Sequence, residues 1–242
     1  MALTTVNFSC FGILRGTPSR RPFCVAAVPK RLVFSESMTS LARHPEASIV
    51  RLQLRRNSVL KHMTRAEWDE LDTLLDITDY GKGALLENQG DSSMYQYFIL
   101  DGILKRVVSN ATGKEMILRF AAETEIDTSY AAWRLKTPIP YAIRAVTRVR
   151  TARLSMEDWA AFIERHPTVK SQFEFEVMKL MSEVMAHTIT LHLLDAPGRV
   201  ARFARKHAAL VERLPKKELA SYLNLSPETL SRLKRRGKIN LQ

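Results

Sequence analysis

The residues with the most directed chemistry lie near the end of the chain. Residues 215–237 read PKKELASYLNLSPETLSRLKRRG. Glu228, Ser231 and Arg232 are three and four positions apart, the spacing that brings side chains to one face of a helix. A guanidinium there can pair bidentately with guanine, and a carboxylate can accept from the cytosine amino group. Lys216, Lys217, Lys234, Arg235 and Arg236 flank these residues. Ammonium and guanidinium groups of that kind suit phosphates, which position a protein on a duplex without specifying sequence. The partner this chemistry predicts is double-stranded DNA.

Two helices must present those groups, and the residue pattern predicts them over 216–223 and 227–236. Ser226 precedes the second as an N-cap, Pro227 falls at its first position, and Gly237 is placed to end it. Asn224 stands at the turn, where a left-handed backbone is required and asparagine tolerates it. Ala220 is small where the helices cross, and Leu219, Leu223, Leu225, Leu230 and Leu233 supply apolar contacts. The spacing of Ala220, Asn224 and Leu230 is that of a helix-turn-helix.

Charge follows the same division. The net charge of the 242 residues is +12, and residues 199–242 carry 12 Lys and Arg against 3 Asp and Glu. Residues 38–198 carry 20 against 21. A basic surface spread at random would not concentrate in this way, whereas an electrostatic footprint on one small domain does. Cys10 and Cys24 are the only cysteines, which excludes a disulfide framework or four-cysteine metal centre and suits a reducing cytoplasm. No apolar run approaches the ~18 residues that span a bilayer, so no membrane partner is predicted. No nucleophile–base pairing, metal spacing or glycine-rich phosphate loop is present, and the chain does not read as an enzyme.

Upstream, Thr64 and Glu67 form a capping box before an amphipathic helix carrying Trp68, Leu71, Leu74 and Leu75. Residues 79–154 change character. Glycines alternate with short aliphatic and aromatic runs at 95–100, 103–108, 115–120, 141–146 and 149–154, the pattern of an antiparallel roll or barrel. Asp101-Gly102 and the segment 110–113 read as hairpin turns. A helix from Ser155 ends before Pro167, and a longer one spans about 168–194. Along it Phe173, Val177, Leu180, Val184, His187, Leu191 and Leu194 alternate by four and three, a heptad seam that predicts pairing with a second copy. Packing of that seam within its own chain is the alternative. Residues 195–198 break the helix as a hinge.

Residues 1–37 hold five basic residues and one acid, Glu36. They read as a disordered extension or a misassigned start ahead of Met38, with an organellar transit peptide as the literal alternative. The domain plan is therefore 38–166 for an N-terminal helix and roll, 167–194 for the dimerising helix, and 195–242 for the DNA-binding end. The fold class is α+β.

Residues 60–239 resemble the bacterial regulators typified by the cyclic AMP receptor protein and the fumarate–nitrate reduction regulator. The resemblance rests on segments 97–102 (YFILDG), 113–118 (GKEMIL), 194–201 (LDAPGRVA) and 228–232 (ETLSR). It implies a cyclic-nucleotide-binding-like β-roll, a dimer helix and a winged helix-turn-helix. It further implies a homodimer reading a palindrome of TTGA-type half-sites through Glu228, Ser231 and Arg232, with RNA polymerase as a partner. The chain ends shortly after Gly237, so a shortened wing is expected.

The phosphate-binding pattern departs from that family. Thr128-Ser129 stands where a Gly-Glu pair is expected and Ile139-Pro140 where an Arg-Ser pair is expected. The stretch between, 131–138, reads as a loop without glycine. Cyclic AMP binding in the family manner is therefore not expected, no cofactor is predicted, and the effector is left unnamed. Ser129, Arg134 and Lys136 are the candidates for a different anionic ligand. The alternative function is a small-molecule-binding module whose DNA-binding end is vestigial or non-specific.

Overall fold

The computed structural model describes residues 35–235, without the side chains of residues 35–37 and of Lys234. The first described strand, β1 (Ser35–Ser40), pairs antiparallel with β2 (Asp76–Tyr80), with Ser35 opposite Tyr80 and Glu36 opposite Asp79. Residues 35–37 therefore belong to the roll and not to a disordered extension. The rest of the expectation for 1–37 lies outside the described residues. A short helix the pattern did not predict, α1 (Ala47–Leu54), follows a 3-10 turn at Leu41–Arg43 and buries Val50 and Leu54.

The capping box forms as expected. In α2 (Arg65–Leu74) the Thr64 hydroxyl accepts from the Glu67 amide, and the Glu67 carboxylate accepts from the Thr64 amide. This satisfies two amides that the helix itself leaves unpaired. Trp68, Leu71 and Leu75 are buried, and Leu74 packs partly covered beside them.

The roll consists of two antiparallel sheets. One runs β1-β2-β9-β4-β7, with β4 (Tyr95–Asp101), β7 (Ile126–Thr128) and β9 (Val149–Ser155). The other runs β3-β8-β5-β6, with β3 (Leu85–Glu87), β5 (Leu104–Ser109), β6 (Glu115–Ala121) and β8 (Ala142–Ala145). Segment 110–113 is a hairpin turn joining β5 to β6, with Gly113 at φ 78°. Asp101-Gly102 is not a hairpin, because β4 and β5 lie in different sheets. It is the corner where the chain changes sheet. Gly102 has φ 89°, and a Cβ there would overlap the Arg148 carbonyl oxygen. Glycine is required by that close approach.

Residues 131–138 are not a loop. They contain most of a short helix, α3 (Tyr130–Leu135), ended by Lys136 at φ 54° in the left-handed region where a glycine is more usual. After β9, α4 (Met156–Arg165) starts on Ser155, whose hydroxyl accepts from the Asp158 amide. Then comes α5 (Pro167–Leu193), with Pro167 at its first position. Trp159 joins these layers: its ring meets Phe98 of β4 at 5.4 Å and Phe173 of α5 at 5.2 Å, both edge-on. Such aromatic pairs stabilise by about 1 kcal/mol beyond their buried area.

The expected hinge is shorter than 195–198. Asp195 is itself an N-cap, accepting from the Gly198 amide at 2.9 Å, and 196–198 form the first turn of α6 (Ala196–Lys206). The chain continues through α7 (Ala208–Val211), α8 (Lys216–Tyr222) and α9 (Pro227–Arg235).

Candidate nucleic-acid interface

Helices α8 and α9 meet as the pattern predicts. Asn224 adopts φ 52°, and the Leu225 amide donates to the Ala220 carbonyl at 2.9 Å. Ala220 is wholly buried, as are Leu219, Leu223 and Leu230 to within a few per cent. A larger side chain at Ala220 would force the helices apart. Ser226 accepts from the Thr229 amide at 3.1 Å and starts α9. Arg199 ties the preceding turn together, donating to the Leu194 carbonyl at 2.9 Å and the Leu223 carbonyl at 3.2 Å. It is thereby committed to backbone and not to solvent.

Glu228, Ser231 and Arg232 are exposed on the first turns of α9. The Glu228 carboxyl is held below its usual range by its own helix-start amide and by Ser226, so it is a standing acceptor. Arg232 lies 3.4 Å from the Thr229 hydroxyl, a single weak restraint. Lys216, Lys217 and Arg235 are also exposed. Arg236 and the side chain of Lys234 lie outside the described residues.

This end does not hang from α5 alone. It shares a hydrophobic cluster with the roll, in which Ile103, Ile117, Phe120 and Val146 meet Val200, Phe203, Leu219 and Tyr222. Two ion pairs flank the cluster. Lys105 of β5 reaches Glu218 of α8 at 2.7 Å with both side chains largely buried, and Arg213 pairs with Glu123 at 2.5 Å. Strand alternation explains how β5 serves both sides: Leu104 and Arg106 turn into the roll, while Lys105, with Ile103 just ahead of the strand, turns toward α8.

The predicted seam on α5 is divided by this packing. Phe173, Leu180 and His187 are buried within the chain itself, Phe173 against α4 and the roll and His187 against Tyr222 of α8. Val177, Val184, Leu191 and Leu194 are only partly covered. The open apolar stripe is a different one: Phe175, Met178, Met181, Met185, Ile189 and Leu193 are each at least 40% exposed. Their spacing of three and four residues keeps them on one side of the helix.

The predicted effector residues do not come together. Ser129 is buried in the roll, whereas Arg134 and Lys136 are exposed on the outside of α3. The roll buries two cations that the sequence reading missed: Arg119, 3.7 Å from Asp127 Oδ2, and Arg106. Its Nε donates to Asp127 Oδ1 at 2.8 Å, its Nη2 donates to the Thr128 carbonyl at 2.7 Å, and its guanidinium lies 4.4 Å from the Tyr141 ring centroid. A basic residue on the inward face of the predicted 103–108 strand was the available signal. Glu87 completes the group, accepting from the Ser129 hydroxyl at 2.6 Å and the Tyr95 amide at 2.7 Å.

Residues 77–166 match the family described as Cyclic nucleotide-binding domain. The chain is similar to the nitrogen fixation regulation protein FixK of Bradyrhizobium diazoefficiens, 23% identical over 201 residues that cover 77% of this chain and 83% of that protein. It is also similar to the cAMP-activated global transcriptional regulator CRP of Salmonella typhimurium, 20% identical over 65% of this chain and 80% of that one. In fold it is similar to a putative transcriptional regulator of the CRP/FNR family from Eubacterium rectale, with a TM-score of 0.60 and 14% identity over 75% of this chain and 87% of that one. No helix among the described residues is long and apolar enough to cross a membrane.

Proposed function

We propose that the chain is a DNA-binding transcription regulator of the CRP/FNR type, a homodimer reading a palindromic operator of TTGA-type half-sites; its likeness to FixK and to CRP supports the reading. The observation that carries this reading is the exposed row Glu228, Ser231 and Arg232 on a capped helix, set by the Asn224 turn against α8. A helix so mounted enters the major groove with its first turns on the base edges. Lys216, Lys217, Lys234, Arg235 and Arg236 then take phosphates.

Pairing of two copies is supported by the apolar stripe on α5. Burial of large apolar side chains contributes on the order of 25 cal/mol per Å². An exposed stripe this long on a water-soluble surface calls for a cover. A dimer mates two half-sites about one helical turn apart, so palindromy of the operator follows from the protein's own two-fold axis. RNA polymerase belongs to the same proposal as the partner at the promoter.

The signal that modulates binding is a different one from cyclic AMP. Supporting this, Arg106 is already matched by Asp127 and stacked on Tyr141, and Arg134 and Lys136 face outward. An incoming phosphate would have to displace a buried carboxylate from a guanidinium, at a cost of several kcal/mol. The roll communicates with α8 through the Lys105–Glu218 pair and with the turn ahead of α8 through the Arg213–Glu123 pair, as well as through α5.

Selection of random duplex DNA by the full chain, at two salt concentrations with sequencing of the bound pool, tests the reading. A palindrome with half-sites one turn apart is expected. Binding with no motif and a steep salt dependence would leave only an electrostatic grip and favour the small-molecule module.

A further inference from the structure

The polar group inside the roll is set up to do more than fill space. Glu87 lies on β3 and is 3% exposed. Its two carboxyl oxygens are held separately, Oε1 by the Tyr95 amide of β4 and Oε2 by the Ser129 hydroxyl. The charged and titratable groups facing it are Arg106 from β5, Asp127 from β7, Tyr97 from β4 and Tyr141 ahead of β8. Arg106 is already committed to Asp127 and to the Thr128 carbonyl. Asp127 is shared by two buried guanidinium groups, Arg106 and, at 3.7 Å, Arg119, in a layer from which water is excluded.

Ser129 is also the residue on which α3 begins. The next residue, Tyr130, meets Phe173 of α5 edge-on at 5.0 Å, and its hydroxyl lies 3.4 Å from Glu174 of the same helix. Trp133, one turn on, stacks on Tyr130 with ring centroids 6.1 Å apart. A continuous run of contacts thus leads from the Glu87 carboxyl through Ser129 and α3 to the long helix.

We infer that Glu87 is a proton-operated switch of the roll: ionised, its carboxylate accepts from both the Tyr95 amide and the Ser129 hydroxyl and ties β3, β4 and the start of α3 together, and on taking up a proton it weakens as an acceptor and loosens its hold on α3 and so on α5. The proton passes to solvent and no covalent bond changes. Burial, followed at some distance by the charge of Asp127, pushes the Glu87 carboxyl up to about 7 against the opposing pull of Ser129, the Tyr95 amide and Arg106. The sign follows. Below the ordinary carboxylate range the group is neutral in folded and unfolded chains alike. As pH rises from there to about 7, the unfolded chain ionises first, so the folded chain loses stability over that range until its own carboxyl ionises.

The test is the emission of Trp133 in the full chain, taken as the difference from a Trp133→Phe variant, from about pH 6 to about pH 8. Wild type is expected to show one sigmoidal transition near neutrality, with loss of the carboxylic-acid infrared band over the same range. Glu87→Gln stays neutral at every pH and is expected to hold the low-pH emission throughout. Ser129→Ala removes a bond that favours the ionised form, so its midpoint moves upward, which a merely structural serine would not cause. A flat wild-type titration, or a transition that survives in Glu87→Gln, overturns the inference. If Glu87→Gln does not fold, the wild-type infrared titration decides alone. None of these readouts depends on DNA binding.

Discussion

The imidazole of His187 lies flat on the phenol ring of Tyr222, with centroids 3.7 Å apart and planes within 4°. This pair joins the long helix α5 directly to α8, the first helix of the helix-turn-helix. His187 is 9% exposed and its Nε2 has no hydrogen-bond partner. Burial, with smaller repulsion from His207 and Lys206, lowers its pKa to about 4. The folded chain therefore resists protonation that the unfolded chain accepts. Stability is fully present above the ordinary histidine value and is lost as pH falls toward 4. Allowing for solvent at the open side of the site, the loss is roughly 2 kcal/mol. Replacing His187 by Phe keeps the stack and removes the titration. Urea midpoints at mildly acidic and neutral pH should converge in His187→Phe and diverge in wild type; equal divergence in both would sink the assignment.

Lys105 and Glu218 form a largely covered ion pair between the roll and α8, at 12% and 24% side-chain exposure. Removing one partner strands the other charge. Lys105→Met is expected to cost about 1–3 kcal/mol, and so is Glu218→Gln, whereas the double variant recovers most of the loss. A double-mutant cycle on denaturant midpoints measures this. Strictly additive losses would mean the pair couples nothing.

Arg232 and Lys216 should separate by kind of effect. Arg232→Ala is expected to lose about 1–3 kcal/mol of discrimination at one position of each half-site, seen as a relaxed motif in selected DNA. Lys216→Ala is expected to weaken binding to every sequence alike and to lower the salt slope by about one. A uniform loss for Arg232→Ala would place it on phosphate, not on a base.

The two faces of α5 predict opposite phenotypes. Met185 is 66% exposed on the open stripe, and Met185→Glu should shift sedimentation toward the monomer while the single chain keeps its fold. Phe173 is wholly buried, and Phe173→Ala should cost about 3–5 kcal/mol of stability at any protein concentration. Unchanged sedimentation of Met185→Glu across dilution would remove the stripe as the contact between copies.

The DNA-binding end was legible because its determinants are local. A cap at Ser226, a left-handed residue at Asn224 and a small one at Ala220 each act within a few positions along the chain, and all three stand where their chemistry places them. The same holds for the Thr64–Glu67 box and the hairpin at 110–113. Where partners are far apart in sequence, periodicity alone did not decide. A heptad pattern states that a face is buried, not what buries it. On α5 the roll and α8 cover Phe173, Leu180 and His187, and leave the Phe175–Leu193 side open. Asp101-Gly102 carries a turn signature whether the next strand folds back or crosses to a second sheet, and only strand pairing distinguishes the two. Arg134 and Lys136 were basic residues near a binding cassette, but a one-turn helix points them outward, while Arg106, set by strand alternation, is drawn inside by an Asp127 found 21 residues away. Short-range rules of backbone and cap chemistry are written residue by residue, whereas the choice of which charges and faces meet is made by the closing of the roll.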